Sequence, residues 1–217
     1  MSFDIQTGLE NILTSTPILP VVVIHDLTDV KPMVDALQAG GIHAVEILMK
    51  TPCAIEAIAT VARHSPRMTV GAGTVLTEDN VRDAKNAGAS FIVSPGFSDR
   101  VYQACLKHAV PYLPGVMTAT EIQAAQEKGF RILKFFPAEA SGGTRMLKAL
   151  APVFDGIRFC ATAGITFDNA GDYLSQKNII AVGMSSIVPP TECFRDKKWH
   201  IATENAKRAA EIFKNKA

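Results

Sequence analysis

The chain has 217 residues, 47% apolar and 20% charged, with 15 Gly and 12 Pro spread along it. This suits one domain of ordinary size and excludes disordered, collagen-like and low-complexity classes. Lys plus Arg total 22 against 21 Asp plus Glu, so the broad basic field behind non-specific nucleic-acid binding is missing, although a local phosphate site is compatible with this balance. Cys53, Cys105, Cys160 and Cys193 lie far apart without a C-x-x-C pair, residues 1–10 carry no signal-peptide pattern, and the apolar stretch 17–24 is far too short to span a membrane, so the expectation is a cytoplasmic protein with neither a membrane nor a nucleic-acid partner.

Residues 3–13 read as an extra helix ahead of the first strand. Apolar or β-branched runs then recur at 18–24, 43–49, 68–72, 91–94, 112–115, 131–136, 157–161 and 179–183, each with the length and composition of a strand. Helical patterns separate them. Thr28, Thr51 before Pro52, Thr77, Ser98, Thr120 and Thr166 stand where N-caps are expected, and Gly40, Gly88 and Gly129 where left-handed helix ends are expected. Residues 200–213 form the last predicted helix. Successive strands start roughly 19 to 26 residues apart, room for one helix per crossover, which implies parallel strands. Eight such units predict an α/β fold, a (β/α)8 TIM barrel with an N-terminal extra helix, with residues 1–217 as a single domain. An open doubly wound sheet is the alternative, but no G-x-G-x-x-G follows the first strand.

Both faces of a strand are covered in a parallel barrel, so an ionisable residue inside one needs a partner or a purpose. In the run 131–136 the two-residue period puts Ile132, Lys134 and Phe136 on one face and Leu133 and Phe135 on the other. In 44–50 it groups Ala44, Glu46, Leu48 and Lys50. A lysine of ordinary pKa leaves roughly one amine in 2,500 uncharged at neutral pH. Desolvation between phenylalanines disfavours the ammonium and favours a nucleophile able to form an imine with a ketone. A buried Lys134–Glu46 ion pair, or a side chain snorkelling to the rim, is the structural alternative, and the residues alone leave both readings open.

Small, hydrogen-bonding residues crowd the strand ends: Gly71-Ala72-Gly73-Thr74, Ser94-Pro95-Gly96, Pro114-Gly115, Thr162-Ala163-Gly164 and Gly183-Met184-Ser185-Ser186. This is the rim on which barrel enzymes build active sites, and the last two loops are where such barrels offer backbone N–H groups to phosphate. The same glycines also suit tight turns with no ligand. Glu139, after Pro137, reads as support for a helix start rather than as a catalytic acid.

Glu46 with Lys50-Thr51, the segment Gly71-Ala72-Gly73-Thr74-Val75-Leu76, Ser94-Pro95-Gly96, Pro114-Gly115, and above all Lys134-Phe135-Phe136-Pro137-Ala138-Glu139-Ala140-Ser141-Gly142-Gly143, resemble the family of 2-keto-3-deoxy-6-phosphogluconate (KDPG) and 4-hydroxy-2-oxoglutarate (KHG) aldolases almost end to end. The resemblance implies a class I aldolase on a (β/α)8 barrel, usually a homotrimer, acting on a small 2-keto acid without metal or cofactor. It implies Lys134 as the imine-forming lysine and Glu46 as the general acid/base. Lys50, Thr74, Pro95, Phe136 and Thr162 correspond to substrate-binding positions, and Ala163, Gly164, Gly183, Met184 and Ser185 to the phosphate end. Two departures stand out. The family usually has Arg where this chain has Lys50, and Thr-Gly-Gly where it has Thr162-Ala163-Gly164. The first exchanges a bidentate fork for a point charge, and the second adds a methyl where backbone approaches phosphate.

Competing expectations are a phosphosugar isomerase or epimerase with Glu46 as proton-abstracting base, and a non-catalytic sugar-acid binder. A metal-dependent aldolase is disfavoured because His25, His43, His64, His108 and His200 show no ligand spacing.

Overall fold

In the computed structural model, which describes residues 4–214, nine strands run parallel. They are β1 (Ile18–Val22), β2 (Ala44–Leu48), β3 (Thr69–Gly73), β4 (Phe91–Val93), β5 (Tyr112–Leu113), β6 (Gly115–Val116), β7 (Ile132–Phe135), β8 (Arg158–Thr162) and β9 (Ile179–Met184). The sheet order β5-β4-β3-β2-β1-β9-β8-β7-β6 begins and ends on two segments separated only by Pro114. These two are one barrel strand interrupted where proline has no N–H to donate. Its lower half pairs with β4, its upper half with β7, and the ring closes through it. The open-sheet alternative is thereby ruled out.

Closure on the β7 side is confined to the upper half, and the N-terminal segment fills the lower gap. The Tyr112 N–H donates to the Ile5 carbonyl at 2.9 Å, and the Arg131 and Ile132 N–H groups donate to Gln6 Oε1 at 2.7 and 3.0 Å. Backbone groups that the short strand leaves free thus find partners. The extra helix follows as α1 (Leu9–Ser15), shorter and later than the predicted 3–13, with Phe3 outside the described residues. Gly8, at φ +79°, is left-handed and cannot lie inside a right-handed helix, so the helix starts after it. Leu9 and Leu13, fully buried, enter the inner core with Leu19, Ala44, Phe91, Ile132 and Ala181 and plug the bottom of the barrel.

The crossover helices are α2 (Val30–Ala39), α3 (Ala54–His64), α4 (Glu78–Asn86), α5 (Asp99–Lys107), α6 (Ala119–Glu127), α7 (Gly143–Leu150) and α8 (Ala170–Leu174), and α9 (Trp199–Lys214) closes the set. Thr77 and Ser98 cap α4 and α5 as predicted, accepting from Asn80 and Val101 N–H. Thr120 lies inside α6. Its cap is Thr118, in a reciprocal box with Glu121 that satisfies both backbone groups at once. Thr28 sits within a short 3₁₀ turn capped by Asp26. The Thr51 hydroxyl donates instead to the Ile24 carbonyl at 2.6 Å, holding the β1 and β2 loops together. Thr166 precedes α8 by too much, and Asn169 is at that helix's N-cap.

Gly88 and Gly129 are left-handed as predicted, at φ +93° and +90°. Gly40 is not: its φ is −89°, and the left-handed residue is Gly41. Gly40 is required by packing, because a Cβ there would lie 2.2 Å from Ala206 Cβ and 2.9 Å from the Thr203 carbonyl oxygen of α9. Gly40→Ala is expected to wedge α2 from α9 at a cost of about 1–3 kcal/mol, read as a lower midpoint in thermal melting. Gly171→Ala, in α8 with nothing within 4 Å of the new methyl, is expected to leave the midpoint unchanged or raise it.

Candidate active site at the C-terminal mouth

Along β7, Leu133 and Phe135 face the helices while Ile132 and Lys134 face the barrel axis, as the two-residue period requires. Along β2, Val45 and Ile47 face out and Ala44 in. Glu46 shares Ala44's face. The two inward ionisable residues meet across the barrel: Lys134 Nζ lies 3.2 Å from Glu46 Oε1, with the side chains 6% and 2% exposed. The ion pair considered as a structural alternative therefore exists, and it stands among the small residues of the mouth. A buried pair is a weak source of stability, because desolvating two charges offsets most of their attraction. Chemically it sets a nitrogen beside a base in a dry site. The Phe136 ring lies beside the same ammonium, its centroid 5.4 Å from Nζ.

The glycines of the rim are explained by what fills the space beside them. A Cβ on Gly73 would fall 2.2 Å from Glu46 Oε1, and one on Gly183 would fall 2.5 Å from Thr162 Oγ1. At Gly115 it would lie 2.1 Å from the Pro95 carbonyl oxygen, and at Gly71 it would overlap the Phe91 ring. Gly73 and Gly183 thus leave room for the polar side chains of Glu46 and Thr162 inside the barrel, Gly71 for the Phe91 ring and Gly115 for the Pro95 main chain.

Thr162 is 6% exposed, level with Gly183 in the sheet register, and its hydroxyl has no hydrogen-bond partner among the described residues. Thr74 follows β3 at φ +58°, a left-handed β-branched residue and hence strained. Pro95 is half-buried. Beside it, the Ser94 hydroxyl donates to the Gly96 carbonyl at 2.6 Å and lies 2.5 Å from the Tyr112 hydroxyl, holding the turn in shape. Lys50 stands exposed just past β2, outside the buried cluster.

After β8, Ala163 and Gly164 are both left-handed, at φ +82° and +81°. After β9, a 3₁₀ turn (Ser185–Ile187) begins at an exposed Ser185. The Met184 side chain is fully buried in the outer core, so that residue has only its main chain to offer a ligand.

Glu139 is not at a helix start, since α7 begins at Gly143 with Gly142 as its N-cap. Its N–H donates to the Ala163 carbonyl at 3.2 Å, its side chain covers Gly164, and its carboxylate accepts a hydrogen bond from the Tyr173 hydroxyl of α8. Burial first, and the Glu139 carboxylate second, push the Tyr173 phenol well above its ordinary range, so it remains a donor. No local sequence pattern links residues 139 and 173 in this brace on the 163–164 turn. Cys160 lies level with Lys134 in the sheet register. Burial pushes its thiol up to about 12, so at neutral pH it is no competing nucleophile.

The model of the KDPG and KHG aldolase family matches residues 9–203. The 2-dehydro-3-deoxy-phosphogluconate aldolase of Dickeya dadantii is 42% identical over 184 residues, covering 85% of this chain and 86% of that one. The KHG/KDPG aldolase of Escherichia coli K12 is 40% identical with the same coverage. Among solved structures, a KDPG aldolase from Legionella pneumophila, with pyruvate captured at low pH as a covalent carbinolamine intermediate, superposes with a TM-score of 0.89 at 38% identity. The superposition covers 92% of this chain and 97% of that one. The 2-keto-3-deoxy-6-phosphogluconate aldolase of Zymomonas mobilis ZM4 with 3-phosphoglycerate gives 0.90 at 37%, covering 95% and 97%.

Proposed function

The chain belongs to the KDPG and KHG aldolase family and is a class I pyruvate aldolase, and on that premise we propose that Lys134 forms the imine while Glu46 moves the protons. The observation that carries this reading is the 3.2 Å contact between two side chains that are otherwise removed from solvent.

Glu46 accepts a proton from the ammonium, and the free Nζ attacks C2 of the keto acid. Glu46 returns the proton to the resulting hydroxyl, water leaves, and a protonated imine remains. Glu46, directly or through a water, then removes the proton of the C4 hydroxyl. The C3–C4 bond breaks, its electrons enter the imine to give an enamine, and an aldehyde departs. Protonation at C3 and hydrolysis release pyruvate and regenerate the amine. Thr162, Thr74 and the Pro95 turn line the pyruvyl end, Phe136 forms a wall beside the nitrogen, and Lys50 is the cation nearest in sequence to Glu46 for a carboxylate. The main chain of 163–164 and 184–185, with Gly183, is assigned to the distal end, as the resemblance implies. No cofactor takes part.

The substrates are KDPG, giving pyruvate and glyceraldehyde 3-phosphate, and KHG, giving pyruvate and glyoxylate. Lys50, a point charge without the fork of arginine, weakens the grip on the pyruvyl carboxylate that both substrates share. One feature tilts this chain toward the shorter dicarboxylate. At Ala163 a left-handed backbone carries a methyl that glycine would lack. Lys50→Arg combined with Ala163→Gly is expected to raise the ratio of kcat/KM for KDPG over KHG by about 3- to 10-fold, measured side by side by coupled pyruvate release. An unchanged ratio would refute this account of specificity.

Borohydride added with pyruvate is expected to inactivate the protein and leave a reduced adduct on the peptide containing Lys134. Mass spectrometry locates it, and labelling elsewhere would refute the role of Lys134. No described helix is long and apolar enough to cross a membrane. The four cysteines are unpaired, in keeping with a reducing cytoplasmic compartment. The resemblance supports a homotrimer, which light scattering after gel filtration tests.

A further inference from the structure

The turn after β8 is held from behind by groups that take no part in the bond-breaking steps. Ala163 and Gly164 are both left-handed, at φ +82° and +81°. An alanine keeps that backbone only where its surroundings enforce it, and strain of this kind is commonly stored at functional sites. Here the surroundings grip the carbonyls. Thr162 accepts from the Ala138 N–H at 2.8 Å, Ala163 from the Glu139 N–H at 3.2 Å, and Gly164 from the Asn169 side-chain amide at 3.0 Å. Gly164 is exposed, and its N–H donates to no acceptor among the described residues. A turn with its carbonyls engaged and an N–H left free is receptive to an anion.

Glu139 is central to this grip. Its N–H holds Ala163, and its Cγ and Cβ stand so close to the turn that a Cβ on Gly164 would fall 2.5 and 2.6 Å from them. Tyr173 in turn fixes the Glu139 side chain. The phenol is fully buried, and its hydroxyl donates to the carboxylate. Gly143, left-handed at φ +57°, makes room for the pair, since a Cβ there would lie 3.1 Å from both Glu139 Oε1 and the Tyr173 hydroxyl oxygen. Asn169 and Tyr173 stand about one helical turn apart, at the N-cap of α8 and within it, so this short helix reaches the turn twice from one face.

We propose that Tyr173 and Glu139 are positioning residues for the distal phosphate: they hold the 163–164 turn in its anion-receptive form and thereby set how well the phosphorylated substrate is bound. KHG carries no phosphate and gains nothing from them. The inference rests on the assignment of this turn to the distal end of the substrate.

Steady-state kinetics of full-chain variants on KDPG and KHG, alongside thermal melting, test it. Tyr173→Phe keeps the buried ring and deletes only the hydroxyl. It is expected to raise KM for KDPG by about 3- to 10-fold, with kcat for both substrates and KM for KHG within about twofold of the parent. Glu139→Leu is expected to do the same. Glu139→Gln, whose amide oxygen still accepts from Tyr173, is expected to stay within about twofold on every parameter. A merely structural loss would move both substrates together. Should Tyr173→Phe fail to fold, Glu139→Leu, at an exposed position, decides the question.

Gly164→Ala probes the assignment separately, because its methyl meets Glu139 and disturbs the turn directly; a rise in KM confined to KDPG is expected there too. If Gly164→Ala shows that rise while the folded Tyr173→Phe and Glu139→Leu variants do not, the positioning role is refuted and the assignment stands. If Gly164→Ala affects both substrates alike, or neither, the assignment falls and takes the proposal with it. A Glu139→Gln variant that behaves like Glu139→Leu, or a common fall in kcat for both substrates in Tyr173→Phe, would also overturn the proposal.

Discussion

Lys134→Arg is expected to lower kcat for aldol cleavage by about 10⁴-fold or more and to abolish borohydride-trapped labelling with pyruvate. Guanidinium retains the positive charge beside Glu46 but has no free electron pair to add to a ketone at neutral pH. This variant therefore separates the chemistry of the nitrogen from its electrostatics. Lys134→Ala is expected to be equally inactive and also unstable. Glu46, with its side chain 2% exposed, would be left as an uncompensated buried charge, at a cost of about 3–5 kcal/mol. Removing both charges, as Lys134→Met with Glu46→Leu, is expected to recover much of that stability while restoring no activity. Denaturant midpoints and single-turnover pyruvate release measure the two quantities. A Lys134→Arg enzyme that still cleaved its substrate within about tenfold of the parent rate would exclude imine chemistry at this position.

Glu46→Gln is expected to reduce kcat by about 10²- to 10⁴-fold, the usual contribution of one positioned acid/base. The amide fills the same volume over Gly73, where a Cβ would come within 2.2 Å of the carboxylate oxygen, so gross displacement is not the cause. Glutamine neither collects the ammonium proton nor returns it to the carbinolamine hydroxyl. Adduct formation with pyruvate should then become slow, yet still fall on Lys134. The time course of borohydride inactivation reads the first property and peptide mapping the second. A rate within about fivefold of the parent would move the proton-transfer role to another group. Gly73→Ala provides the complementary case. The added methyl drives the carboxylate out of position while every catalytic side chain is kept, and a similar loss of kcat is expected.

What was legible in the sequence follows from the range of the forces involved. The strands could be read because alternation and β-branched composition are properties of a few consecutive residues. Thr77 and Ser98 could be read as caps for the same reason. The cap of α6 is Thr118 rather than the expected Thr120, because two threonines stand two residues apart and only the reciprocal bond with Glu121 distinguishes them. Gly40 carried a helix-end pattern, yet its smallness is needed against Ala206, far along the chain. Lys134 and Glu46 could each be placed on the inner face of a strand by period two. Their contact, across 88 residues of sequence, is one of the readings that the residues leave open, and only the closed barrel decides it.

By itself, then, the sequence determined the succession of strands and helices, the inward direction of Lys134 and Glu46, and the small residues gathered at one rim. The order of apolar, polar and small residues along a few consecutive positions sets all of these. The tertiary structure alone decided that the ring closes through Pro114 with Ile5 and Gln6 filling the gap below, that nitrogen and carboxylate meet, and that Glu139 braces the 163–164 turn through Tyr173. Such contacts depend on how eight strands tilt and curve into one another. That geometry arises only when apolar surfaces from the whole chain are buried together.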